Sequence, residues 1–183
     1  SNKEKFEIVN NEFSKSYRWC AEKIKEMYKD IDLGFNEYNG AISTLIEEWQ
    51  GGKFSRPMRN GGHGDLIVVN MEEYLNSLSK CERELLEENL KKIESFSDKD
   101  NYPSPSYTAA ICVYPFYTAD GEKNMLYQGI HVHPIIFTAR RMISYNISDK
   151  IPSPTSLLFQ KMKAWALEKS ITTMYVCPIG GMV

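Results

Sequence analysis

Apolar residues recur at spacings of three and four from Lys3 to Asp30, at Phe6, Val9, Phe13, Tyr17, Cys20, Ile24 and Tyr28. That stripe predicts a helix with one buried face and a Lys/Glu-rich side in water. Asp32-Leu33-Gly34 interrupts it. A second helix is predicted over Asn39–Gln50 on Ile42, Leu45, Ile46 and Trp49, stopped by Gly51-Gly52. The run Leu66–Asn70, LIVVN, is apolar and β-rich, and predicts a strand. Asn70 is then placed to cap a short helix through Leu78, with Glu72 and Glu73 in its first turn. Ser79 with Glu82 has the form of a capping box. It opens a longer helix, KCERELLEENLKKIESF, with Leu85, Leu86, Leu90, Ile93 and Phe96 inward.

The second half changes period. Tyr107–Tyr117 and Asn124–His133 are β-rich runs around a turn containing Asp120-Gly121, a strong local hairpin signal. They are apolar at nearly every position, which predicts a sheet covered on both faces. Pro115 predicts a bulge or an edge position. Pro134 ends the second arm, and Ile135–Tyr145 fits either a continued strand or a short helix. Thr155 or Ser156 is read as the cap of a helix, SLLFQKMKAWALEKS, with Leu157, Leu158, Met162, Trp165, Ala166 and Leu167 on its apolar side. Ile171–Val176 closes the pattern as a strand. The reading is α/β or α+β: a mixed sheet with an antiparallel hairpin and a C-terminal βαβ crossover. That crossover runs from the Gly129–Pro134 strand to Ile171–Val176 and makes those two strands parallel. Residues 1–52 are a helical segment packing on the core, and residues 53–183 are that core.

Composition narrows the classes. With 183 residues, 42% hydrophobic and 25% charged, the chain suits one soluble compact unit. A net charge of -2 gives no overall pull toward nucleic acid or anionic membrane. No apolar run is long enough to span a bilayer and no signal peptide is visible at the start, so a cytoplasmic setting is expected. Cys20, Cys81, Cys112 and Cys177 are scattered without a CxxC spacing, and are expected as free thiols in a reducing compartment. Gly51–Asp65 holds five glycines with Lys53, Arg56, Arg59 and His63. It is a basic loop that can meet a phosphate, or an ordinary connection. It lacks the Lys-Ser/Thr ending of a P-loop.

The order LIVVN strand, two helices, hairpin, YQGIHVHP, a helix ending KAWALEKSI and then TTMYVCPIGGM resembles the core of the GNAT superfamily of acyltransferases. The matching residues are Val132-His133-Pro134, Leu157-Leu158, Ala166 and Lys169-Ser170-Ile171, within residues 66–183. The family's Arg/Gln-x-x-Gly-x-Gly/Ala pyrophosphate loop is absent between Pro134 and Leu157. The resemblance implies an N-acyltransferase using acetyl-CoA or another acyl-CoA on a small-molecule or protein amine. In that reading the backbone of Gly129, Ile130 and Val132 lies along the pantetheine arm. Arg140 and Arg141, or the amides at Thr155 and Ser156, would meet the diphosphate. His133 or His131 is then a general base and Tyr175 a general acid.

Three alternatives stand beside it. On a strand His131 and His133 point to one face, and with His63 or Asp65 they would form a metal site. Eleven tyrosines and three tryptophans suit a non-catalytic nucleotide-binding or protein-interaction module, with the N-terminal helices as a partner or dimer surface. The plainest reading makes one histidine a hydrogen-bonded core residue and leaves the other facing solvent.

Overall fold

The computed structural model describes residues 2–27, 65–97, 101–117, 121, 123–128, 130–142 and 151–177. The predicted helix at 39–50, His63 with the glycine-rich stretch before Asp65, Gly129, and the side chains of Arg141 and Tyr175 lie outside that description. The fold is mixed α/β. In chain order it comprises α1 (Asn2–Met27), β1 (Asp65–Asn70), α2 (Met71–Ser77), α3 (Lys80–Glu94), β2 (Tyr107–Tyr117), β3 (Lys123–Gln128), β4 (His131–Val132), α4 (Pro134–Arg141), α5 (Thr155–Glu168) and β5 (Met174–Cys177).

The sheet order is β1-β2-β3-β5, with β4 also paired to β2. β1, β3 and β4 run antiparallel to β2, and β5 runs parallel to β3. Six successive residues of β2, Thr108 through Val113, are fully buried. Successive side chains of a strand point to opposite faces, so such a run needs cover on both sides. α5 packs on β1 and β2, while α1 packs on β1 and on α4. The stripe of α1 works as its spacing predicts: Val9, Phe13, Tyr17 and Cys20 are buried.

Helix starts follow local chemistry. The Asn70 side chain accepts from the Glu73 amide at 2.8 Å, and Glu73 answers on the Asn70 amide at 3.2 Å. Ser79 and Glu82 form the same reciprocal box. Each such cap satisfies amides that have no partner inside the helix.

Several expectations are corrected. Neither Thr155 nor Ser156 caps α5. The helix starts at Thr155 with Pro154 before it, and the Ser153 hydroxyl accepts the Thr155 amide at 3.3 Å. Phe96 is 56% exposed because α3 ends at Glu94 and the periodicity ends with it. Leu167 is 74% exposed. It follows Ala166 by one residue, about 100° around the helix from the buried row Leu158, Met162, Ala166. The closing strand begins at Met174 instead of Ile171. Of the stretch Ile135–Tyr145, the residues through Arg141 are helical and 143–145 lie outside the described residues; the helix starts at Pro134, whose missing N–H and fixed φ suit a first turn.

The second hairpin arm is not one strand. β3 pairs with the end of β2 through Val113↔Tyr127, and β4 pairs with its start through Ala110↔His131. Three steps along β2 thus face four along the other arm, the offset of a β-bulge. Ile130 belongs to neither strand. The parallel partner of β5 is β3, at Met125–Gln128, rather than the Gly129–Pro134 segment. Pro115 pairs with Met125 of β3 and lies beyond Val113, the last β2 residue in the described pairing with β1.

Candidate functional site

His131 and His133 are two positions apart, yet the backbone gives them different jobs. His131 is on β4, paired to Ala110, and 5% exposed. His133 has left the strand: its amide still donates to the Thr108 carbonyl at 2.8 Å, but its ring is the N-cap of α4. Nδ1 accepts the Ile135 amide at 3.1 Å, and the Ser16 hydroxyl stands 3.4 Å from the same nitrogen. A ring nitrogen that accepts carries no proton, so the imidazole proton is on Nε2. Nε2 faces Glu12 Oε1 at 3.6 Å, and the Phe13 ring stands edge-on with centroids 5.3 Å apart.

Glu12 is the other half of this node. Its Oε1 accepts the amides of Ser106 and Tyr107 at the entry to β2. Burial raises its carboxyl pKa, against the lowering effect of those two amides. Burial also pushes the His133 imidazole down to about 3. Both directions favour the neutral forms, so the contact is a desolvated polar node and not an ion pair. Cys20 lies on the same row of α1, hydrogen-bonded with Ser16 and Thr138, and burial pushes its thiol up to about 12. Such a cysteine is a core residue without nucleophilic character at neutral pH.

The strand break lies just before this node. β3 and β5 are parallel, and their carboxyl ends stop at Gln128 and Cys177. In sheets with parallel strands, ligands bind beyond the carboxyl ends, where the strand order leaves a crevice. Ile130, His131 and Val132 stand at that end, and the one-residue offset takes Ile130 out of the β2 ladder.

Of the residues expected at a diphosphate, Arg140 bonds to the segment that precedes α5, and Thr155 and Ser156 bond to Ser153 within that segment. Arg140 Nε donates to the Ile151 carbonyl at 2.9 Å, on the segment that enters α5. Ser156 is exposed, with its hydroxyl 3.4 Å from the Ser153 carbonyl, and the Thr155 amide is taken by Ser153. Tyr74 donates to the Pro152 carbonyl at 2.5 Å. Its phenol is pushed up to about 12 by burial, against the opposing charge of Arg140. The structure therefore joins Arg140 to the start of α5.

Of the proposed metal set, His63 lies outside the described residues, and Asp65 stands apart from His131. Asp65 pairs with Val113 on one edge of β2 and His131 pairs with Ala110 on the other edge. Three residues along the strands and two strand spacings across put their backbones roughly 14 Å apart. Asp65 accepts the Trp165 indole N–H at 3.0 Å, and the Nδ1 of His133 is committed to its cap.

A shallow cleft of ≈ 330 Å³ that sequence reasoning did not anticipate runs along the outer edge of β1. Lys5 Nζ donates to the Leu66 carbonyl at 3.3 Å and Lys161 Nζ to the Val68 carbonyl at 2.8 Å. Lys161 also reaches Glu73 at 2.5 Å. Burial opposes charge on the Glu73 carboxyl, but the Lys161 contact and the Asn70 amide hold its pKa below the usual range. The signal was present: Leu157, Lys161 and Trp165 form an i, i+4 row beside the buried one. Lysine cover on an edge strand blocks unwanted strand addition.

No family model matches the chain, and no curated protein matches it. Among solved structures it is similar to a ribosomal-protein-alanine N-acetyltransferase from Brucella melitensis biovar Abortus 2308. The identity is 11%, over 64% of this chain and 81% of that one, with a TM-score of 0.27. A similarity this distant does not carry a function across.

Proposed function

We propose that the chain binds an acyl-CoA at the break between β3 and β4 and transfers the acyl group to an amine. The observation that carries this reading is the one-residue offset between Tyr127 and His131, at the carboxyl end of the parallel pair β3 and β5. A strand withdrawn from its ladder presents peptide groups that an extended amide-bearing arm can pair with. Ile130 and Val132 supply that backbone. Arg140 and the start of α5 are the local group offered to a diphosphate, with the exposed Ser156 as its accessible hydroxyl.

A bound acyl thioester supplies the activated carbonyl; the protein must orient the amine and take its proton. An imidazole accepts such a proton near neutral pH. His131 is the imidazole at the break and takes this role in the proposal. His133 is reassigned to structure, because its Nδ1 caps α4 and its ring has no exposed surface.

The test is a thermal-shift panel of acetyl-CoA, longer acyl-CoAs, free adenine nucleotides and EDTA. A ligand that binds the native state raises its melting temperature. Saturable stabilisation by an acyl-CoA, with thiol release on adding amines, supports the reading. No stabilisation by any acyl-CoA contradicts it. Stabilisation by adenine nucleotides alone would favour a nucleotide-binding module.

A further inference from the structure

We infer that the contact of Glu12 and Ser16 with His133 is an acid-sensitive latch that holds α1 against the start of α4 while the imidazole is neutral and loosens both when it is protonated. The geometry sets the direction. Nδ1 must be an acceptor to take the Ile135 amide, and an imidazolium has no acceptor. Pro134 before it has no N–H, so Ile135 carries the first amide of α4 that needs a partner. Protonation therefore breaks the cap and leaves two N–H groups facing each other inside the core.

Among the described residues, groups from three elements meet the ring. From α1 come Glu12, Phe13 and Ser16, from β2 the Thr108 carbonyl, and from α4 the Ile135 amide. Cys20 reaches the row through Ser16 and stays a thiol. Arg18 and Lys15 of α1 are exposed, away from the buried stripe. Glu12 is the carboxyl in contact, and its Oε1 already accepts two amides of the β2 entry. The same residue thus ties α1 to β2 and faces His133, which couples the cap of α4 to the seating of α1.

The sign follows from where the proton goes. The folded imidazole is depressed to about 3, while an unfolded chain titrates near 6.5. Above about 6.5 neither state takes the proton and the latch contributes no pH dependence. Below it the opened state binds a proton that the closed state refuses, so stability falls with falling pH. Glu12 acts oppositely, because its raised carboxyl lets the folded state bind a proton first. The His133 effect sets in just below about 6.5, and replacing Glu12 by Gln removes the opposing one.

The experiment is amide hydrogen exchange on the full chain at pH 6.5 and 5.5, corrected for intrinsic exchange rates. Opening at Ile135–Phe137 and along α1 should rise together, roughly fivefold across that unit. His133→Asn keeps a strong N-cap acceptor that does not titrate, and should abolish the rise. His131→Asn controls for the neighbouring imidazole and should leave the rise in place. Glu12→Gln should make the acid response steeper. Unchanged wild-type protection at Ile135–Phe137 overturns the inference, whether or not the variants fold. So does a rise that persists in His133→Asn.

Discussion

His131 and His133 share a chemistry, a neighbourhood and a spacing that would place them on one strand face. The chain separates them by ending β4 at Val132. One remains in the sheet beside an interrupted ladder, where backbone leaves its regular pairing. The other turns into a helix start whose ring nitrogens have Ile135, Ser16 and Glu12 against them. A buried ring nitrogen that caps a helix specifies structure, whereas backbone withdrawn from a ladder is available for recognition. The difference makes His133 a helix cap and leaves the break as the place of the proposed chemistry.

Four substitutions can break or sharpen that assignment. The largest effect is expected for His131→Gln, which should lower acyl transfer by roughly 10²–10⁴-fold while leaving a folded protein. Steady-state turnover with a saturating amine, paired with circular dichroism, measures it. Full activity would remove His131 from the proton path. His133→Ala should act on the other axis, costing about 3 kcal/mol in urea unfolding through a cavity and an uncapped amide. If it unfolds no more easily than the parent, the node is not structural.

Glu12→Ala should cost about 2 kcal/mol, since it strips the acceptor from the Ser106 and Tyr107 amides. Its effect should be less than additive with His133→Ala, as expected of groups in one contact. Additive losses would mean that α1 and α4 are seated independently. The smallest change belongs to Ser79→Ala, far from both histidines. It should cost about 1 kcal/mol by removing a cap, with no effect on the pH response.

Much of this was legible in the residues. The cap at Asn70 and the capping box at Ser79 were readable because their partners lie within a few residues, while the reply of Glu73 to Asn70 came only with the structure. The buried stripe of α1 was readable from period alone, and the hairpin from β-rich runs around Asp120-Gly121. The division of the second arm was not. A bulge depends on which residue faces which across the sheet, and that register is a property of two strands. The reassignment of His133 needed α1, about 117 residues earlier, to supply Ser16. Glu12 sat beside the apolar stripe as an ordinary helix carboxylate, and nothing local marks it as the acceptor for the entry to β2. Thr155 and Ser156 misled because polar residues before an apolar run look like caps, while the hydroxyl in use is Ser153, two residues upstream of Thr155.

The most direct test of the account is amide hydrogen exchange with and without acetyl-CoA, read residue by residue at neutral pH. The account predicts saturable protection centred on Ile130–Val132, with a smaller change at the start of α5 and none at the β1 edge. Saturating acetyl-CoA that leaves Ile130–Val132 unchanged, or protects the Lys5–Lys161 cleft instead, would contradict it.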